Sequence, residues 1–515
     1  MLRKIALNSA SQYVATAVGM AVTFFLTPFL VARLGRESMG LQTLASQALS
    51  FIGLFTGAMG LSYTRAATVR YAKGEYEEMN AVIGAGFWLS VVTGVLFLAG
   101  AWVMALYPEV LFGIRGGLVR DASWVIVISG LTSALLTMTG PWCAPLQLAQ
   151  SAYWQSLGSI VATVVAAVVV VAGFRMGEPG VVFWVAVTNG VRVVVVFLMQ
   201  IPAARRVVPQ FRMVLSLENI VARSRSLMRL GVWSFFGGLG YLFYYATDSM
   251  LISNLDELGP GRIIDYNLGQ RWDPIIRMLV AGFAGSLTPA LTGMVARGEG
   301  ERLKGALVSS TRYAVAGGLL PCVLLLVLAE PFITAWVGAG FAASSVPVLR
   351  IILVGTAVSL PTMIGYETLV ALGKIGEAVI STLVGGICNV VLAVVLVKYF
   401  GWGLEGIALA CVLTMGLRNL IYTPLLLIRH SGVGAARYYV EGVMRPMAGA
   451  VVLAGLVILI RMVVVPTSLA GVMGCFAVGT LLYVPVLWLV TFRPEDKALA
   501  LRLWARTTER WRRPA

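Results

Sequence analysis

Apolar residues run along this chain in stretches of twenty or more, broken by short polar connections, from one end to the other. A helix needs about 20 such residues to cross a hydrocarbon core about 30 Å thick. On that criterion the pattern predicts fourteen spans. They are 10–32, 38–64, 81–106, 122–149, 154–173, 180–203, 230–254, 262–296, 306–328, 346–372, 376–397, 403–428, 446–465 and 469–492. The first run, Ala10 to Ala32, is too long for the core of a cleaved signal peptide and is followed by many further spans. It reads as a retained helix.

Composition narrows the class. Of 515 residues, 59% are apolar and 12% charged, whereas a globular soluble chain carries about 25% charged residues. The expected fold is therefore an all-α polytopic membrane protein. Cys143, Cys322, Cys388, Cys411 and Cys475 lie inside apolar runs without CxxC spacing. They read as small buried apolar residues, with no disulfide or metal role. No metal or cofactor is expected, and no nucleotide-binding loop is present.

The net charge of +16 is explained by its placement. With the N-terminus in the cytoplasm, 25 of the 39 basic residues fall on inward connections and 8 on outward ones. That bias follows the positive-inside rule and puts both termini in the cytoplasm. An odd number of spans would scramble it. The basicity thus reads as topology and contact with anionic lipid, not a nucleic-acid footprint. In the tail, Leu501, Trp504 and Trp511 recur at helical spacing among arginines. That predicts an amphipathic helix on the inner leaflet, with a frayed basic end as the alternative.

The chain also repeats itself. GVVFWVAVTNGVR (180–192) aligns without gaps on GIALACVLTMGLR (406–418), pairing Arg192 with Arg418, both read as buried mid-span. Thr137-Met138 and Gly140 align on Thr362-Met363 and Gly365, and FFLTP (24–28) more weakly on YYATD (244–248). The three matches come in order at offsets of 220 to 226. Each unit holds six spans, so both enter the membrane in the same sense, as parallel repeats around a central cavity. The predicted organisation is an N-lobe (1–203), a basic cytoplasmic linker (204–229) and a C-lobe (230–428). Two appended spans (429–492) and the basic tail (493–515) follow.

Charges inside spans are the candidate chemistry, because a bilayer-spanning helix carries one only at a cost of a few kcal/mol. They concentrate between Tyr244 and Arg277. Asp248 reads either as a cation or proton site or as an end residue reaching interfacial water. Asp273, before Pro274, either caps a helix or lies within a long eighth helix that Pro274 kinks. In the second case Asp273 and Arg277, four apart, can pair. Glu367 is a further acidic candidate, and Arg312 reads as a structural or snorkelling residue. Arg192 and Arg418 are either anion-facing groups or helix-packing donors. Pro28 should kink the first span and suggests a hinge. Six in-span arginines stand against Asp248, Asp273 and Glu367. That excess suits an anionic cargo, with phosphate the natural partner of arginine. The glycines of Gly53-xxx-Gly57 and Gly237-Gly238-x-Gly240 read as ordinary close packing. Nothing catalytic stands out: the single histidine, His430, falls in a basic inward connection. Outward loops are too short for a membrane glycosyltransferase or polymerase.

Several motifs resemble the Wzx-type flippases of lipid-linked oligosaccharides, polysaccharide exporters in the multidrug/oligosaccharidyl-lipid/polysaccharide superfamily. They are Asn8-Ser9, FFLTPFLVARLGRESMGL (24–41), MGLSYTRAATVRYAKGEYEEMN (59–80) and DSMLISNLDELGPGRIIDYNLGQRW (248–272). The resemblance implies two six-helix lobes in a V around a cationic lumen. It implies an undecaprenyl-pyrophosphate-linked oligosaccharide as cargo, moved to the periplasmic leaflet of a bacterial inner membrane, with a proton or sodium gradient as the drive. Surface polysaccharide (O-antigen, capsule or exopolysaccharide) would be the product, with a polymerase and chain-length regulator as partners. Family lumen arginines would fall by position on Arg33, Arg65, Arg271 and Arg277. Spans thirteen and fourteen depart from the common twelve-helix form, although lipid II flippases also have fourteen. A multidrug or organic-cation exporter of the same fold, or a lipid II flippase, is the alternative, and Asp248 with Glu367 is the best support for the cation exporter.

Overall fold

The computed structural model describes residues 2–177, 179–215, 235–255, 258–498 and 501. These residues are helical with short connections, and no strand occurs among them. Among the described residues, twelve helical stretches are long and apolar enough to cross a membrane, the first being Ala10–Leu54. That first stretch belongs to one continuous helix, Leu2–Lys73, interrupted at Gly35 with φ 77° and ψ 177°. A left-handed φ of this kind suits glycine, which has no Cβ to clash. The break separates α1 (residues 2–34) from α2 (36–73). Of the predicted seventh span, 230–254, the first five residues lie outside the described residues and the rest is α7 (residues 235–254), helical with one turn residue, Ala246. With the first stretch split at Gly35 and α7 included, the long helical segments among the described residues are numbered α1 to α14.

The others are α3 (Tyr76–Leu106), α4 (Leu118–Leu148), α5 (Tyr153–Met176), α6 (Val181–Val207) and α8 (Arg262–Ala296). They continue as α9 (Gly300–Val327), α10 (Ala339–Ala371), α11 (Ile375–Lys398) and α12 (Gly403–Ser431). The last two are α13 (Arg437–Val463) and α14 (Leu469–Thr491). Most ends lie within a few residues of the apolar runs. Some helices extend past their runs, as over Ala339–Ser345 and Arg437–Met444, where a few polar or small residues interrupt the apolar ones. Two short helices, Pro108–Phe112 and Ala329–Val337, were not foreseen.

Proline shapes several spans. A π-helical turn occurs in α6 (Val196–Gln200), α12 (Leu417–Tyr422) and α13 (Arg437–Met444). Each ends one residue before a residue-plus-proline pair that carries Pro202, Pro424 or Pro446. The N–H groups of Ile201, Thr423 and Arg445 reach back five residues, to Val196, Arg418 and Val440. A proline donates nothing and its ring pushes away the carbonyl four residues earlier. The ladder widens by one residue to accommodate it.

The chain divides into two compact units, Met1–Asp265 and Tyr266–Ala515. In the first, Tyr63, Ala67, Met79, Ile83, Ala144 and Leu148 form a core with Val208 and Phe211. The start of the basic connection is strapped across α3: Asn80 donates to the Gln210 carbonyl (3.1 Å) and accepts from the Arg212 N–H (3.2 Å). The predicted linker residues beyond Leu215 lie outside the described residues, as does the tail beyond Leu501.

In the second unit, α13 and α14 pack on α9 through Leu324, Leu328, Leu453, Val457, Cys475 and Tyr483. The Tyr483 hydroxyl donates to the Ala316 carbonyl at 2.8 Å. Arg312, 2% exposed, donates to Asp496 at 2.9 Å, and the Tyr313 hydroxyl donates to the same carboxylate. Arg312 is thus a structural pair, as its sequence suggested. Large apolar side chains such as Val92, Leu96, Val103, Val451 and Leu459 are exposed instead, as a lipid-facing surface requires. Cys388 is also exposed, unlike the other four cysteines. Its apolar run is satisfied by a lipid-facing position, so burial did not follow.

Candidate functional site

Helix α8 is interrupted at Arg271, between segments Arg262–Gln270 and Trp272–Ala296. Arg271 occupies the N-cap of the second segment, so Asp273 is not a cap. Asp273 instead lies in the first turn of the second segment, two residues after the break at Arg271 and just before Pro274. Asp273 is 1% exposed. Its Oδ1 accepts from Arg277 Nε at 2.7 Å and from Thr356 Oγ1 of α10 at 2.5 Å. Arg277 Nη2 also lies 3.8 Å from the sulfur of Met415 on α12. The acid-first i, i+4 spacing puts both charges on one face. The Arg277 side chain keeps 19% of its exposure, so water tempers the cost of leaving Asp273 without its cation.

The same unit threads further polar groups between its helices. Glu367 of α10 accepts from Thr288 of α8 at 2.5 Å. Arg418 donates to Ser381 and Asn419, both at 3.3 Å, and Asn419 donates to Ser359 at 2.7 Å. Arg271 donates to Asn267 at 3.3 Å. Outside the spans, half-buried Glu299 accepts from Arg297 (2.7 Å) and Arg302 (3.2 Å). Those bonds, Arg297 first, hold its carboxyl below the usual range.

In the first unit, Asp248 is fully buried, so the reading of an end residue reaching interfacial water does not fit. Asp265 is also fully buried and is held by Arg36 at 2.9 Å and Arg262 at 3.3 Å. Beside this pair, α2 passes so close to the α7–α8 connection that a Cβ at Gly40 would lie 2.6 Å from the Pro260 carbonyl oxygen. The end of α7 docks on the short Pro108–Phe112 helix: Ser253 donates to the Phe112 carbonyl and Asn254 to that of Leu111 (2.9 Å). A separate pocket of about 300 Å³ lies among α2, α3, α4 and α6, with Arg192 in its wall.

A search of solved structures finds this architecture elsewhere. The lipid II flippase MurJ, in an inward closed conformation, superposes with a TM-score of 0.70 at 11% identity, covering 93% of this chain and 98% of its own. An inward-facing multidrug resistance MATE family transporter of the MOP superfamily gives 0.65 at 15% identity, covering 82% and 99%. The fold is that of the MOP-superfamily transporters. No protein-family model matches the chain. A curated relative, the uncharacterized membrane protein EpsK of Bacillus subtilis (strain 168), is 25% identical over 506 residues, 98% of this chain and 99% of its own. The fold neighbours are carriers, not enzymes.

Within this MOP fold the sequence-selected residues are scattered. Asp273 and Arg277 are brought together, while Glu367 and Arg418 each join a separate polar contact. Arg33, at the end of α1, and Arg65, in the last third of α2, are both exposed. Arg192 and Arg418, expected to be buried, are exposed and half-buried respectively. Arg192 lies beside a pocket, and Arg418 meets polar side chains at a π turn, so neither needed full burial. Pro28 lies within an unbroken α1, the interruption falling instead at Gly35. Sequence reading passed over Thr356, Thr288, Asp265 and the pocket serines. The signal for the pocket serines was hydroxyls four residues apart in apolar runs, as in Ser46/Ser50 and Ser129/Ser133.

Proposed function

We propose that this chain is a flippase. It moves an undecaprenyl-pyrophosphate-linked oligosaccharide by alternating access from the cytoplasmic to the periplasmic leaflet of a bacterial inner membrane, for surface polysaccharide synthesis. The observation that carries the reading is the extent of the MurJ likeness. It takes in 93% of this chain, against 82% for the MATE transporter, so the appended α13 and α14 favour a lipid-linked cargo. The excess of in-span arginine supports an anionic one, since a pyrophosphate is recognised by guanidinium forks. In this reading residues 1–203 and 230–428 are the lobes and both termini are cytoplasmic. Arg33, Arg65, Arg192, Arg271, Arg277 and Arg418 serve the cargo. Asp248, Asp273 and Glu367 serve a proton or sodium ion, while Pro28 and Pro274 lend flexibility. The basic tail rests on anionic lipid, and a polymerase and chain-length regulator act on the product.

The second reading is a multidrug or organic-cation exporter, favoured by the complete burial of Asp248. Deletion of the gene separates the two. The flippase reading expects loss of surface polysaccharide with lipid-linked intermediate accumulating in the cytoplasmic leaflet. Normal polysaccharide with raised drug sensitivity supports the exporter instead.

A further inference from the structure

We propose that the pocket among α2, α3, α4 and α6 is a glycan subsite holding one or two sugar rings of the cargo. This rests on the flippase reading above and deepens it. The pocket measures about 300 Å³, at the small end of ligand sites. It is too small for a long oligosaccharide or a polyprenyl chain. Leu49, Phe97 and Val185 are buried at its base, while Ser46 and Arg192 are exposed at its rim.

Its lining is unusual for a membrane helix bundle. Serines and threonines within these helices mostly bond back to their own helix: Ser90 to Gly86, Thr93 to Leu89, Thr132 to Ile128, Thr139 to Leu135. That is how a hydroxyl is tolerated away from water. In the pocket the pattern changes. Among the described residues, Ser129, Ser133, Trp184, Asn189 and Arg192 make no side-chain hydrogen bond, yet all line one space. These side chains are half-buried or, for Arg192, exposed, so they open onto the pocket and can exchange water for a polar ligand.

The chemistry of the lining selects the ligand. It offers hydroxyls, amides, an indole and one guanidinium, and no carboxylate. An organic cation would find no counter-charge. A sugar suits it: vicinal hydroxyls can donate and accept with Ser129, Ser133 and Asn189. The ring's C–H face can lie on Trp184, whose indole N–H remains a donor. Arg192 at the rim faces whatever anionic group adjoins the sugar.

The repeat argues that this lining is not a by-product of the fold. At the offset of 225, Ser129 and Ser133 correspond to Val354 and Val358. At 226, Trp184 and Asn189 correspond to Ala410 and Met415. The second half instead buries the Asp273–Arg277 pair, whose counterparts at 225 are Ala48 and Ile52. The pocket of the first half is lined by neutral polar side chains and Arg192, while the second half carries the Asp273–Arg277 ion pair. The halves have therefore divided the work, with sugar recognition in the first.

The test uses the full chain in lipid nanodiscs and three probes. They are polyprenyl pyrophosphate carrying the strain's own oligosaccharide, the same lipid without sugar, and the free oligosaccharide. Wild type should bind the sugar-bearing lipid more tightly than the bare one. Trp184→Ala, and Ser129→Val with Ser133→Val, should each lower that affinity about tenfold, the loss of one good polar or stacking contact. Affinity for the bare lipid should not change, and Trp184→Phe should restore most of the loss. Unaltered affinity in both variants would overturn the subsite while leaving the flippase reading intact. Wild type that binds neither lipid would overturn both. Free oligosaccharide binding as tightly as the lipid-linked form would reassign the pocket to a soluble sugar.

Discussion

Arg36 holds the fully buried carboxylate of Asp265 at 2.9 Å, across 229 residues of sequence. Arg262 adds a second cation at 3.3 Å. Together with the Gly40–Pro260 approach, the pair fixes the turn after α1 against the connection before α8. Asp265→Ala removes the charge that two arginines share, whereas Arg36→Ala leaves a buried carboxylate with Arg262 alone. Breaking a buried pair costs about 3–5 kcal/mol. Arg36 is partly exposed, so about half of that is expected here. The double variant should lose less than the sum of the singles, because neither residue is left alone. Thermal unfolding of the four proteins in detergent checks the cycle; additive losses would show that the pair does not couple the two segments.

A second expectation concerns Asp273 and Arg277. Arg277→Ala leaves Asp273 bonded to Thr356 without its cation. Translocation should fall on the order of tenfold or more, the equivalent of about 1.4 kcal/mol or above, while membrane abundance holds. Arg277→Lys should recover only part, because an ammonium cannot reproduce the guanidinium geometry. Transport assays alongside quantification in membranes decide the matter. Equal loss of both would make Arg277 a structural residue.

Much of the architecture was legible in the sequence because the bilayer imposes a length rule. Span ends such as 262–296 could be read from apolar runs alone. The Asp273–Arg277 pair was legible because i, i+4 spacing is local. Asp265 was not, since its partner Arg36 lies 229 residues away and no local spacing links them. The exposure of Arg192 was equally hidden. A repeat equates Arg192 with Arg418, but only the neighbouring helices decide that one borders a pocket and the other meets Ser381 and Asn419. By residue type Pro28 is the stronger helix breaker, yet the break falls at Gly35. A proline within an apolar helix can be absorbed, whereas the left-handed φ at Gly35 cannot be continued as helix.

The appended helices give a third expectation. Arg312 and Asp496 are both nearly fully buried and bonded at 2.9 Å, with Tyr313 on the same carboxylate. Asp496→Ala leaves a buried guanidinium and should destabilise the chain by about 3–5 kcal/mol. Replacing both partners, Arg312→Met with Asp496→Leu, should recover much of that loss. Unfolding midpoints of the two variants are the measurement. A double variant as unstable as the single would mean that the pair contributes more than mutual neutralisation.

The central claim is that the chain carries a lipid-linked oligosaccharide across a bilayer. Purified protein reconstituted in proteoliposomes, with a fluorescent lipid-linked oligosaccharide in both leaflets, tests it directly. A membrane-impermeant reductant bleaches only the outer leaflet. With active protein and an imposed ion gradient, bleaching should proceed beyond the outer-leaflet fraction, and Arg277→Ala should slow it. Bleaching that stops at the outer-leaflet fraction, with wild type no different from empty liposomes, would contradict the account.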